Sequence, residues 1–186
     1  SPLHGNDGPM IVSDNTHCHP LSRAFVDSAV AYGLPRTDDF NGPSQTGAGY
    51  YQTTTFNGRR GSSAATYLKS VLHSPLLKVT PHALVERVLI DGGRATGVRV
   101  SIDNEPAIDF RCRREVVLSA GAIATPKILM LSGIGPASQL ASQGIKVIVD
   151  APEVGRNFQD HLTSSVYGRT REPESLLGQD KGISAV

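Results

Sequence analysis

Aromatic side chains are scarce in this chain of 186 residues: tryptophan is absent, and Phe, Tyr and Trp together make up 5% of the sequence. Proteins that bind single-stranded nucleic acid stack the bases on such rings. The 18 Lys and Arg residues nearly balance the 17 Asp and Glu residues, so no net charge attracts nucleic acid or an anionic membrane surface. The composition therefore argues against nucleic acid as a partner.

Cysteine is also rare, because Cys18 and Cys112 are the only two in the sequence. Two thiols provide no disulfide framework, which mildly favours a reducing, cytoplasmic setting. No apolar run approaches the ~18 residues of a transmembrane helix, and the N-terminus lacks the pattern of a signal peptide. Cys18 lies between His17 and His19, but three adjacent residues cannot all turn to one ion, so we expect no metal site.

A complete glycine fingerprint for a dinucleotide is missing as well. Residues 47–49 read GAG, which begins like the Gly-x-Gly-x-x-Gly pattern of a strand-turn-helix. The third glycine would fall at position 52, which is Gln52, and a β-prone run follows where a helix is needed. The fingerprint therefore fails here, and no other window supplies it.

The most informative stretch is residues 115–161. An apolar run at 116–119 predicts a buried strand, and a glycine-bearing turn at 120–122 follows it. Thr125 is then a suitable N-cap for a helix of about two turns that begins at Pro126 and ends at Gly133. This pattern predicts a strand, a turn and a helix in close succession.

The flanking segments predict a β-meander and further short elements. Two β-prone runs at 83–90 and 95–100, joined by Asp-Gly-Gly, indicate a hairpin. A third run at 108–112 completes the meander. Other periodic segments predict a helix at 21–32 with Leu21, Phe25, Ala29 and Tyr32 facing the core, a short helix at 136–143 closed by Gly144, and strands at 145–149 and 164–167.

Two motifs in the central stretch resemble those of the glucose-methanol-choline (GMC) flavin-dependent oxidoreductases. Residues 121–126 read GAIATP and residues 131–135 read LSGIG, which is similar to the second signature of that family. Its downstream companion stands as PEVGRNFQDH at 152–161. The ending NFQDH is similar to the choline-dehydrogenase-like branch. Two ordered motifs at the family spacing identify the chain far more strongly than either motif alone.

The resemblance implies an α+β fold divided between two domains of that family. It places residues 1–75 in part of an α+β substrate-binding domain and residues 76–160 in an α/β-like part of the FAD-binding domain that carries the three-stranded meander. Residues 161–186 then return to the substrate-binding domain. The chain matches only about the middle third of the family's length, which favours an internal fragment.

The resemblance also implies a set of FAD contacts. The residue matching Val85 meets the adenine end of FAD through its backbone, and Ala120 and Gly121 lie at a turn where small residues let backbone N–H groups approach a nucleotide. Asn157 and Asp160 belong to a polar loop that joins the two domains. Alternatives remain: Val85 as a core valine, Gly121 as a packing glycine, Asp160 as a loop cap, and His161 as an interior histidine.

The activity that follows from the resemblance is oxidation of a small-molecule alcohol, choline-like or another primary alcohol, by hydride transfer to flavin. The family's catalytic histidine matches no residue of this chain, so no catalytic residue is assigned and His161 is not given that role. We expect the isolated chain to bind FAD weakly or not at all and to have no turnover. Co-purification of a flavin absorption band would contradict this.

A second hypothesis is a non-catalytic binding or interaction module derived from the same segment. Such a module predicts a closed core and no open strand edge. A fragment of an enzyme predicts exposed apolar surface instead, through which two copies could form a homodimer.

Overall fold

The computed structural model describes residues 3–169 and residue 171. It has an α+β fold, as the sequence predicts, with helices and small sheets in two compact units. Among the described residues, one unit comprises residues 3–78 with 167–169 and 171, and the other comprises residues 79–166. The second unit contains both motifs of the central stretch.

The first unit is built around helix α1, Pro20–Ala31. The helix begins after His19, whose Nδ1 accepts a hydrogen bond from the N–H of Leu21 at 3.2 Å. The predicted core stripe was wrong at two positions, since Phe25 is 71% exposed and Tyr32 is 90% exposed. The buried residue is Val26 instead, while Leu21 and Ala29 of the predicted stripe are half-buried.

Short elements make up the remainder of the first unit. Strands β1, Thr55–Phe56, and β2, Arg59–Arg60, form an antiparallel pair. A π-helical turn, Ala64–Leu68, runs directly into helix α2, Lys69–Val71. Within residues 47–49, Ala48 forms an isolated bridge with Arg36 and no helix follows. These residues therefore do not form a dinucleotide-binding turn.

The second unit contains the predicted meander. Strand β3, Ala83–Asp91, pairs with β4, Arg94–Ile102, and β4 pairs with β5, Ile108–Arg111, all antiparallel. The β3–β4 turn has two glycines with positive φ, as expected for a two-residue hairpin loop. The register shifts between Val85 and Arg87, so Glu86 is the extra residue of a β-bulge.

Helix α3, Gly121–Leu131, packs beside β3. The predicted start of this helix was wrong, because Pro126 lies inside it. A proline removes one helical hydrogen bond without ending the helix here. Thr125 is likewise inside the helix, and its Oγ1 accepts a hydrogen bond from the N–H of Ala120 at 3.1 Å. Gly133 follows the C-cap residue Ser132 with φ +85°, so the predicted end was correct.

The rest of the second unit is a short helix between two very short strands. Strands β6, Ile134–Gly135, and β7, Val149–Asp150, are parallel, and helix α4, Ala137–Ser142, lies between them in sequence. The strands predicted at 116–119 and 164–167 were wrong. Of the strand predicted at 145–149, only Val149 is in a strand, β7, and residues 145–148 are not. Residues 116–119 have no hydrogen-bonded strand partner among the described residues, although burial alternates along them.

Leu140 on α4 allows a test of the apolar core of the second unit. It is 2% exposed, so replacing it with alanine should lower the free energy of unfolding by about 2–5 kcal/mol through lost contacts and a residual cavity. Urea unfolding followed by circular dichroism measures the change. The control is Leu76→Ala, at a side chain that is 96% exposed. Equal effects of the two substitutions would contradict the described core.

Candidate functional site

A groove between β3 and α3, called groove A, is a candidate site in the second unit. Its volume is about 620 Å³, within the range of small-molecule pockets. Val85 and Ala120, both predicted as cofactor contacts, lie on opposite walls of this groove. The strand wall is Ala83, Leu84, Val85, Glu86 and Arg87, and the helix wall is Ala120, Ala124, Lys127, Ile128 and Leu131.

The strand wall is an open edge of the meander. The sheet order is β3-β4-β5, so β3 has a strand partner on one side only among the described residues. An edge strand presents unpaired backbone N–H and C=O groups. One of them, the N–H of Val88, donates to Ser132 Oγ at 2.8 Å. The edge beside Val85 is therefore available to a ligand, and the bulge at Glu86 redirects the strand at this point.

The charged residues of groove A favour an anion. Arg87, Arg99 and Lys127 line it together with a single carboxylate, that of Glu86. Arg99 Nε donates to Asp109 Oδ1 at 2.8 Å, whereas Arg87 and Lys127 have no carboxylate within 4.0 Å among the described residues. The unpaired cations leave a net positive charge at the groove.

Gly121 opens α3 with φ +87°. A side chain is strained at this φ, and glycine is not. A Cβ built on Gly121 meets no atom within 4 Å, so close packing against a neighbouring element is not the reason for glycine here. The first N–H groups of a helix also lack intrahelical partners and favour negative charge. The start of α3 thus has the open backbone that a nucleotide requires.

Asn157 and Asp160 lie elsewhere. Asn157 lines a second groove, called groove B, with Ala122, Ile123, Pro126 and Met130 on its helix side and a volume of about 650 Å³. These residues occupy a different face of α3 from those of groove A. Asp160 lines neither groove; its Oδ1 accepts a hydrogen bond from the N–H of the next residue at 2.8 Å. The structure therefore divides the predicted site residues into separate groups.

His161 is exposed, so it is not an interior histidine. Among the described residues, no group of three His, Cys, Asp or Glu side chains is arranged to hold a metal ion. Over the same residues, no helix is long and apolar enough to cross a membrane.

The sequence interpretation missed Ala124, Lys127 and Ile128. They lie four, seven and eight positions after Ala120, which is the spacing of one helix face. This signal was present in the sequence, but it can be used only once the helix is known to begin before Pro126. For the bulge residue Glu86 we find no comparable signal.

Comparison with known proteins identifies relatives over most of the chain. Residues 5–163 match the family model described as GMC oxidoreductase. An oxygen-dependent choline dehydrogenase of Pseudomonas putida is 43% identical over 176 residues, which are 93% of this chain and 31% of that protein. The corresponding enzyme of Paraburkholderia phymatum is 44% identical over 175 residues, 93% of this chain and 30% of that protein. The chain thus spans less than a third of the length of these relatives.

Solved structures are similar over the same part of the chain. Pyridoxine 4-oxidase from Mesorbium loti matches with a TM-score of 0.76 at 29% identity, over 81% of this chain and 30% of that one. An FAD-dependent oxidoreductase from Chaetomium thermophilum matches with a TM-score of 0.75 at 30% identity, over 80% of this chain and 26% of that one.

The ion pair beside groove A gives a pH prediction. The hydrogen bond from Arg99 to the Asp109 carboxylate lowers the pKa of Asp109 below the ordinary value of 3.8. A lowered carboxyl pKa stabilises the fold above the pKa of the unfolded chain, and this contribution is lost as the pH falls through the folded pKa. The stability difference between wild type and Asp109→Asn should therefore be largest above pH 3.8 and shrink below it.

Urea unfolding at a series of pH values measures this difference. Asp103→Asn is the control, because the side chain of Asp103 is in no ion pair among the described residues. A difference between wild type and Asp109→Asn that stays constant across the acid range would rule out the ion pair as its source.

Proposed function

Since this chain belongs to the GMC oxidoreductase family, we propose that it is part of an FAD-dependent enzyme that oxidises a choline-like or other primary alcohol. In this proposal residues 76–160 contribute to the FAD-binding domain, and residues 1–75 and 161–186 contribute to the substrate-binding domain. The identity to choline dehydrogenases, 43% over 176 residues, favours choline-like alcohols over other substrates.

Groove A is the observation that carries the proposal. It combines a cavity of about 620 Å³, an edge strand that faces a helix, and three cationic residues against one carboxylate. An adenine ring presents hydrogen-bond donors and acceptors at its edge, which suit the free N–H and C=O groups of an edge strand. The phosphates of FAD are anionic, which suits the unpaired Lys127 and Arg87.

The residues of this site have distinct proposed roles. Val85 would bind the adenine edge through its backbone. Ala120 and Gly121 would let the nucleotide approach the start of α3, because neither has a side chain large enough to obstruct it. Asn157 would contact the cofactor from the side of groove B, at a position separate from the adenine, and Asp160 would contact it from the loop that follows Asn157.

Catalysis requires groups that we do not assign to this chain. FAD, when bound, accepts the hydride that leaves the alcohol carbon, and a base must take the hydroxyl proton. His161 is exposed and is given no part in this step. The residues of groove A bind and orient the nucleotide. We therefore propose that the isolated chain has no turnover.

Exposed apolar side chains support this proposal over a self-contained binding module. Val117 is 75% exposed, Ile123 is 73% exposed and Leu84 is 69% exposed. Large exposed apolar surface marks places where another segment or subunit packs. We propose that the isolated chain associates through such surfaces, so that sedimentation should show a mass that rises with concentration.

Two alanines on different faces of α3 allow a matched test of groove A. Ala124→Leu extends a side chain into groove A and should weaken binding of ADP, the adenine-bearing portion of FAD, by at least about tenfold through steric exclusion. Ala122→Leu makes the same change on the side of groove B and should leave ADP binding unchanged. Isothermal titration calorimetry measures both.

The measurement has two outcomes that oppose the proposal. One is the absence of ADP binding by the wild-type chain. The other is equal weakening by the two leucine substitutions, since a bulky residue on either face would then act through the helix and not through occupation of groove A.

A further inference from the structure

Ser132 is the one polar side chain that the structure buries among residues 3–169 and 171, at 5% exposure. Its Oγ accepts a hydrogen bond from the N–H of Val88 at 2.8 Å and donates one to the C=O of Ile128 at 2.6 Å. A hydroxyl has one hydrogen to donate, and here it is directed to the helix. The single oxygen atom thus joins the edge strand β3 to the end of α3.

This bridge lies at one end of groove A. Val88 follows Arg87, the last residue of the strand wall, and Ile128 is part of the helix wall. Both residues are buried, with 7% and 8% of their surfaces exposed. A hydrogen-bonded atom thus joins two buried residues, where such bonds are strong and their loss is costly.

The rest of the groove depends on this end. Ala120 lies twelve residues before Ser132, about 18 Å along the helix. A small rotation of α3 about the bridge therefore moves the start of the helix farther than it moves the residues beside Ser132. On the strand, the bulge at Glu86 separates Val88 from Val85. Ser132 is therefore a directional link between the two walls on which Val85 and Ala120 lie, in addition to the packing of α3 against β3.

We propose that Ser132 is a positioning residue whose hydroxyl sets the separation of the two walls of groove A and thereby the affinity for an adenine nucleotide. This inference rests on the proposed function. A purely structural role for Ser132 predicts lower stability with unchanged nucleotide affinity of the folded protein. A positioning role predicts that affinity falls even where the protein is fully folded.

Ser132→Ala removes both hydrogen bonds and leaves the N–H of Val88 buried without its acceptor. We expect ADP binding to the 186-residue chain to weaken by about tenfold at a temperature where the variant is folded. Hydrogen exchange of the Val88 amide should also accelerate. Ser132→Thr keeps the hydroxyl and should retain most of the affinity.

Two controls separate positioning from stability. Ser142→Ala removes a hydroxyl that donates to Gln139 C=O at the end of α4, away from groove A, and should leave affinity unchanged. Leu140→Ala destabilises the same unit without lining groove A, and its folded fraction should bind ADP as wild type does.

The outcomes distinguish this inference from the function on which it rests. Wild-type affinity in folded Ser132→Ala overturns the positioning role, while the effect of Ala124→Leu on ADP binding would still stand. Failure of the wild-type chain to bind ADP overturns both this inference and the assignment of groove A as the adenine site. If Ser132→Ala does not fold, Ser132→Cys replaces it, because a thiol is a weaker hydrogen-bonding group, and unchanged affinity then overturns the inference.

Discussion

The hydroxyl of Ser132 joins the edge strand β3 to helix α3. An edge strand and the helix beside it have no backbone hydrogen bonds in common, so apolar packing alone would let them slide. Ser132 supplies a directional link between the N–H of Val88 and the C=O of Ile128. Because both partners are buried, the link is not exchanged for water. In our proposal this link sets the separation of β3 and α3 and thereby the width of groove A.

The meander was predictable because its signals are local. Alternating β-prone runs and an Asp-Gly-Gly turn specify a hairpin within about twenty residues, and the structure forms it with the predicted third strand. Residues 116–119 show the opposite case. Their alternating burial suits a strand, but a strand needs a hydrogen-bonded partner. No described segment supplies one, and pattern alone does not reveal this.

The candidate site was predictable in part. The motif at 121–126 led to Ala120 and Gly121, and the structure places Ala120 opposite Val85 in groove A. The helix start was misjudged because Pro126 is a common first residue of helices, whereas here it lies in the interior. With the helix start placed at Pro126, the helical spacing that relates Ala124 and Lys127 to Ala120 was not recognised. Asn157 shares the downstream motif but lines groove B, since proximity in sequence does not determine which face of a helix a loop meets.

The most direct test of the account is a map of backbone amide chemical shifts during titration of the chain with ADP. If groove A binds the adenine nucleotide, the largest chemical-shift changes lie at Val85, Ala120 and Ala124, on the two walls of the groove. Changes confined to residues around Asn157, or no change at any amide, would contradict it.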